Sequence, residues 1–193
     1  MNDIQFGILG CGSISDTHAL AISQVPGARV TAAAARTPEK GGAFSRKWNC
    51  APCASYDELL ARRDVDAVVI GTPSGQHAEQ GRAAARAGKH VVVEKPMDVT
   101  LEQADSLIAA CRAADVRLSV VSQFRFLDAV VRTREAVAAG RFGRLTLGSA
   151  YVKWHRPQSY YDSAAWRGTW ALDGGGCLIN QSIHAIDQLV HLC

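Results

Sequence analysis

The chain has no apolar stretch approaching the roughly twenty residues that a membrane-spanning helix needs. Its start, Met1-Asn2-Asp3-Ile4-Gln5, has neither the basic flank nor the apolar centre of a secretory leader. These absences make the cytoplasm the expected compartment. No run of five Lys or Arg occurs, and a net charge of +3 is too small to call for nucleic acid. Six cysteines are present, yet only Cys50-Ala51-Pro52-Cys53 has metal-like or redox-like spacing, and no second pair completes a zinc site. A redox dithiol belongs at a helix N-terminus with a depressed pKa. This pair flanks a short edge strand instead, so two reduced thiols are expected.

The 193 residues, 48% hydrophobic and 20% charged, suit a soluble protein with one full domain and part of a second. Short apolar runs at 4–9, 30–35, 67–70, 90–93 and 118–121, with a weaker one at 52–55, read as strands. Between them, helical patterns run over 14–24, 39–48, from Asp57, over 76–87, and from Thr100 to about 114. The last of these opens on the capping box Thr100-Leu101-Glu102-Gln103. Continuous β-rich runs alternating with amphipathic helices predict an α/β, doubly wound parallel sheet covered on both faces, over residues 1–122. After Gln123 the character changes. A helix over 126–139, a long strand over 145–154, an irregular stretch to Asp173 and a final helix running almost to Cys193 form the start of a second α/β domain, 123–193. A lone strand cannot bury its faces, so either other strands are missing or a partner supplies them, and the chain reads as a truncated product with an incomplete sheet.

The turn after the first strand reads Gly10-Cys11-Gly12-Ser13-Ile14-Ser15. Gly10 permits the tight turn, Gly12 lets backbone N–H groups approach a pyrophosphate, and Ser15 is small enough for close packing. Gly10, Gly12, Ser13 and Ile14 are therefore candidate cofactor residues. At the end of the second strand, where an NAD enzyme usually has Asp or Glu, this chain has Ala35-Arg36-Thr37. Arg36 can pair with a 2′-phosphate and Thr37 can hydrogen-bond it, which favours NADP(H), with NAD(H) the alternative.

Further stretches carry candidate chemistry. Glu94-Lys95-Pro96 follows the apolar run Val91-Val92-Val93 and puts an ammonium at the C-terminal edge of a parallel sheet, where ligands bind. Pro96 biases Lys95 toward an extended backbone, and Glu94 is a candidate to orient it. The loop Thr72-Pro73-Ser74-Gly75-Gln76-His77 would face the nicotinamide end, though a simple turn is an equal reading. In the last helix Asn180, His184, Asp187 and His191 share one face by spacing, beside an apolar stripe of Ile179, Ile183, Ile186 and Val190 that would pack it inward. His184 is a candidate acid/base. Asp187 also reads as a structural hydrogen-bonder, and no His/Cys cluster supports a metal. Tyr160, Tyr161, Trp166, Arg167 and Trp170 could stack on a sugar or pack a domain junction.

In order along the chain, Gly7-Ile8-Leu9-Gly10-x-Gly12, Thr72-Pro73-x-x-x-His77, Glu94-Lys95-Pro96, Trp166-Arg167-Gly168-Thr169-Trp170, Asp173-Gly174-Gly175-Gly176 and Asn180-x-x-x-His184-x-x-Asp187 resemble the glucose–fructose oxidoreductase / inositol dehydrogenase / MocA-type family of NAD(P)-dependent dehydrogenases. The resemblance implies an N-terminal Rossmann domain, a C-terminal α/β domain with an open antiparallel sheet, and an active site between them. It implies Lys95 as the catalytic lysine and His184 as its proton-transfer partner. Thr72, Pro73, His77, Glu94 and Lys95 would lie near cofactor, and Lys95, Arg125, Trp166, Arg167, Asn180 and His184 near substrate. Sugars, polyols and sugar nucleotides are the implied substrates, and homo-oligomers the implied assembly of full-length members. Two departures stand out. Many members carry Asp where this chain has Asn180, and an amide takes up no proton near neutral pH, so Asn180 would position ligand. Full-length members also continue well beyond the helix on which this chain ends. Two other classes share such a site: a glycosidase using NAD transiently, and a non-catalytic cofactor-binding protein.

Overall fold

The structure, a computed structural model, describes residues 3–193. A core of small and β-branched residues builds its parallel sheet. β4 (Ala67–Ile70) is buried at every position, and β5 (His90–Val93) buries Val91 and Val93. Strands enclosed on both faces read in sequence as unbroken apolar runs, so these two have the boundaries their sequence predicts. β1 (Ile4–Leu9) pairs with β2 (Ala28–Ala34) on one side and with β4 on the other. β3 (Ala51–Cys53) extends the sheet beyond β2, and β6 (Leu118–Val120) extends it beyond β5. The order is β3-β2-β1-β4-β5-β6, all parallel, which is the Rossmann order. The strand order reverses between β1 and β4, so the ligand crevice of such a sheet lies at their carboxyl ends.

The covering helices are α1 (Ser13–Ser23), α2 (Pro38–Trp48), α3 (Tyr56–Ala61), α4 (His77–Arg86) and α5 (Leu101–Ala113). They sit within a few residues of the predicted spans. A 3₁₀ turn over Ser74–Gln76 replaces the expected first residue of α4. Two packed clusters lie on the sheet. The larger includes Leu59, Val68, Ile70, Val93 and Leu107, and the smaller includes Ile8, Ala19, Phe44 and Val69. α4 and α5 approach closely through Gly81, where a Cβ would meet Leu107 Cδ1 at 2.5 Å. The capping box before α5 forms by half: Thr100 accepts from the Gln103 N–H, while the Gln103 side chain accepts from Arg82.

The chain divides into two units, the first ending at Val120 and the second running from Val121 to Cys193. The second contains a 3₁₀ turn over Gln123–Phe126, then α6 (Asp128–Ala138), α7 (Gln158–Asp162), α8 (Cys177–Asn180) and α9 (Ile183–Leu192). α9 packs on α6 and on the 3₁₀ turn. Three expectations change here. The strand expected at 145–154 does not form; among the described residues of this unit no strand pairs with it, and an unpaired strand has no ladder to hold it. The final helix breaks at Gln181-Ser182 into α8 and α9, so Asn180 lies on a different helix from His184, Asp187 and His191. The apolar stripe is not uniformly inward, since Ile186 is 45% and Val190 75% exposed.

Candidate active site

Gly10 leaves β1 with φ +84°, and a Cβ there would stand 2.9 Å from both Gly71 O and Thr72 Cγ2. The turns after β1 and β4 therefore touch at the switch point, and only glycine fits the left-handed backbone between them. Ser15 is fully buried and its hydroxyl donates to the Gly10 carbonyl. It lies under Gly71, whose own Cβ would fall 2.7 Å from Ser15 Oγ. A small third residue packs helix against strand, as the sequence predicts. Gly12, the N-cap of α1, is different: no atom lies within 4 Å of its Cβ position. Its backbone conformation (φ −97°) suits any residue, so the fold does not require glycine there. The open cradle beneath Gly12, at a helix N-terminus with unpaired N–H groups, fits a pyrophosphate. Ser13 and Ile14 open that helix.

Past β2, Arg36 is exposed and makes no ion pair among the described residues, and Thr37 N-caps α2 without a side-chain cap bond. No carboxylate occupies the end of β2. The absence leaves that corner receptive to an anion.

The loop after β5 is anchored more firmly than its sequence suggests. Glu94 is buried, and its Oε1 lies 2.8 Å from His18 Nε2 on α1. A carboxylate accepts, so Nε2 carries the hydrogen. The second carboxylate oxygen accepts from the Lys95 backbone N–H at 3.1 Å. Glu94 thus fixes the backbone of Lys95 and joins it to α1. Lys95 is half-buried, and the Lys95-Pro96 peptide is cis.

His77 does not line an open site. It is 1% exposed, with Nδ1 2.8 Å from the Pro96 carbonyl and Nε2 2.9 Å from the Thr72 carbonyl. The ring joins the β4 loop to the β5 loop from inside, so the expected cofactor contact is corrected to one of positioning. Thr72 turns its hydroxyl to Gln80 Oε1 at 2.6 Å, so its side chain as well as its carbonyl is engaged within the first unit. Asp98, buried, accepts from the N–H of Ala78 at 2.8 Å and secures the same pair of loops. His18 and Asp98 escape sequence reasoning because their partners lie 76 and 20 residues away.

In the second unit the His184 ring lies 4.6 Å from the ring of Phe124. Asn180 donates to Asp173 Oδ1 at 2.7 Å, and the buried Asp173 also accepts from the Gly168 N–H. Arg125, expected near substrate, is engaged in a two-point ion pair with Asp187, Nε to Oδ2 at 2.8 Å and Nη2 to Oδ1 at 2.5 Å. The Arg125 hydrogen bonds hold the Asp187 carboxyl below its ordinary range. Asp187 is thus the structural hydrogen-bonder of its helix. Trp166 and Tyr160 each lie beneath the Arg167 guanidinium, at 4.7 and 4.3 Å.

All six cysteines are free. Burial raises the Cys50 and Cys53 thiols, opposite to the depressed pKa of a redox dithiol. A groove of about 640 Å³, lined in part by Arg29, Thr31, Trp48 and Asp64, lies at the starting half of β2. That is the wrong end of the strand for the crevice of a Rossmann sheet.

Comparison with known proteins matches this geometry. Residues 4–122 match the model of an oxidoreductase family with an NAD-binding Rossmann fold, and 130–193 match the GFO/IDH/MocA C-terminal domain. A 1,5-anhydro-D-fructose reductase of Ensifer adhaerens is 31% identical over 96% of this chain and 55% of its own length. The WlbA dehydrogenase of Bordetella pertussis, solved with NADH and UDP-GlcNAcA, is 40% identical with a TM-score of 0.90, over 99% of this chain and 55% of that one. The 3-ketoreductase KijD10 of Actinomadura kijaniata, solved with TDP-benzene and NADP in an open conformation, is 34% identical with a TM-score of 0.67, over 72% of this chain and 44% of that one. The chain spans about half the length of the curated relatives it matches. No helix among the described residues is long and apolar enough to cross a membrane. With both family domains matched in order along the chain, it belongs to the GFO/IDH/MocA family of NAD(P)-binding oxidoreductases.

Proposed function

We propose that the protein transfers hydride between a nicotinamide and a secondary alcohol or ketone of a sugar, a polyol or, in particular, a sugar nucleotide. The observation that carries this reading is the Glu94-Lys95-Pro96 loop, bound through Glu94 to the very helix whose N-terminus opens the Gly10–Gly12 turn. Solved relatives bound to a nicotinamide cofactor together with a nucleotide-bearing ligand support the substrate class.

When bound, the nicotinamide supplies or accepts the hydride. Lys95 donates a hydrogen bond to the reacting oxygen and stabilises its developing negative charge. His184 takes the hydroxyl proton on oxidation and returns it on reduction. Asn180 orients the sugar, since its amide holds no proton to exchange. Gly10, Gly12, Ser13 and Ile14 bind the pyrophosphate, and Arg36 with Thr37 selects NADP(H) over NAD(H) by pairing with a 2′-phosphate. On this reading residues 1–122 form the cofactor domain and 123–193 the opening of the substrate domain, in a cytoplasmic protein that assembles with copies of itself.

Titration of the chain with NADPH and NADH, followed by nicotinamide fluorescence, tests the cofactor assignment. NADPH is expected to bind more tightly, and Arg36→Ala to erase roughly tenfold of that preference. Tighter NADH binding overturns it. Lys95→Met is expected to lower turnover by roughly 100-fold or more with cofactor affinity intact. Unchanged turnover would remove Lys95 from the chemistry.

A further inference from the structure

Two cations lie against the Tyr160 ring. The Arg156 guanidinium lies 5.0 Å from its ring centre and the Arg167 guanidinium 4.3 Å. Arg156 also lies 5.7 Å from the Trp154 ring and Arg167 4.7 Å from that of Trp166. Aromatic faces hold guanidinium groups by attraction to the ring quadrupole and leave their N–H edges free to bond elsewhere. Arg167 uses two of its nitrogens within the cluster, Nε to Ser163 Oγ at 3.1 Å and Nη1 to Tyr160 Oη at 2.6 Å. Arg156 makes no hydrogen bond or ion pair with a described residue; its ring contacts alone hold it.

The hydroxyl of Tyr160 adds a third donor. It accepts from Arg167 Nη1 and from Gln181 Nε2, the latter at 3.2 Å, so both its lone pairs are engaged and its hydrogen remains to be donated. Among the described residues no carboxylate forms an ion pair with Arg156 or Arg167. Between Arg156 and Asn180 the only acidic residues are Asp162 and Asp173. Asp162 accepts from Gln158, and Asp173 is buried against Gly168 and Asn180. Two cations and a hydroxyl donor, preorganised on aromatic faces and lacking a carboxylate, form a receptor for an oxyanion.

We infer that Arg156, Tyr160 and Arg167 form an anion subsite that selects acidic substrates, binding a pyrophosphate or a carboxylate carried by the sugar. The inference rests on the sugar-nucleotide reading above and extends it. A neutral free sugar or polyol gains nothing from these groups, whereas an anionic one gains charge-assisted bonds at two guanidinium edges and one phenol.

Calorimetric titration of the chain with three probes tests the subsite: UDP-glucuronic acid carries both anions, UDP-glucose the pyrophosphate alone, and glucuronic acid the carboxylate alone. UDP-glucuronic acid is expected to bind the wild type, and Arg156→Gln and Arg167→Gln each to weaken it about tenfold. Tyr160→Phe keeps the ring under both cations, and so keeps the packing, while removing the donor; it is expected to weaken the same probe about fivefold. A parallel loss with UDP-glucose assigns the subsite to pyrophosphate, and a parallel loss with glucuronic acid assigns it to the carboxylate. Equal affinity of wild type and both Arg variants overturns the inference, as does failure of all three probes to bind the wild type. NADPH is titrated beside them. NADPH binding without any probe binding sinks the subsite alone. Arg156-dependent probe binding without NADPH binding sinks the cofactor reading and leaves the subsite standing.

Discussion

His18 and Glu94, 76 residues apart in the chain, meet at 2.8 Å where α1 passes the end of β5. The contact is largely closed to solvent, with 15% and 8% of the two side chains exposed. A buried carboxylate that loses a partner keeps its full desolvation penalty. His18→Ala is therefore expected to reduce stability by roughly 1–3 kcal/mol, read as a lower urea midpoint. His18→Gln, whose amide N–H can still donate to Glu94, is expected to recover part of that loss. An unchanged midpoint in the alanine variant would mean that the two elements are not coupled through this contact.

Gly10 and Gly12 make opposite demands. Alanine at 10 meets both a positive φ and backbone at 2.9 Å, whereas alanine at 12 meets open space. Gly10→Ala is expected to lower the melting temperature and abolish NADPH binding together. Gly12→Ala is expected to leave melting of the unliganded chain within about 1 kcal/mol of wild type while weakening NADPH by roughly tenfold or more, because its methyl occupies the phosphate cradle. Equal loss of stability in both variants would argue that glycine at 12 serves the fold.

The Arg125–Asp187 pair gives the second unit an acid limit. Hydrogen bonds from Arg125 lower the Asp187 pKa in the folded state. A carboxyl with a depressed folded pKa adds stability above its unfolded value, near 3.9, and loses it as pH falls through the folded one. The advantage of wild type over Asp187→Asn is thus expected at pH 6 and to fade below about pH 4. Its size is at most about 1 kcal/mol, since the Arg125 side chain is 41% exposed and solvent screens the pair. Denaturant midpoints at several pH values measure it; a gap that widens in acid would contradict the assignment.

The thiols divide by burial. Burial, with smaller contributions from Cys50 and Asp16, pushes Cys11 up to about 11, and burial also raises Cys50, Cys53 and Cys111. Cys177 and Cys193 are exposed. Iodoacetamide at pH 7.5 is expected to modify the exposed pair at least about tenfold faster, because the thiolate is the reacting species. Peptide mass spectrometry over a time course reads the order directly. Rapid modification of Cys50 and Cys53 would revive the redox reading of their spacing.

The Rossmann half was legible because its signals are local. Unbroken apolar runs such as Val68-Val69-Ile70 mark strands buried on both faces, and a glycine turn before a helix marks the phosphate end. The second unit was less legible. Residues 145–154 have strand-forming side chains, but a strand needs a neighbour, and pairing is not written in the segment itself. The break before α9 falls at Gln181-Ser182, where the spacing rule for a continuous helix gives no warning. Site residues divide in the same way. Motif positions point to Lys95 and the Gly10 turn as candidates, whereas His18, Asp98 and the Arg125–Asp187 pair depend on contacts across 20 to 76 residues.

One buried ring has a consequence for anyone recombining members of this family. His77 reads two loops at once, through the carbonyls of Thr72 and Pro96. A chimera that imports the loop after β5 from a homologue, and keeps the native loop after β4, inherits a carbonyl positioned for a different ring. The two loops and His77 are therefore one transplantable cassette, and exchanging the loop after β5 alone is expected to misregister Lys95 even when every residue of the imported loop is correct.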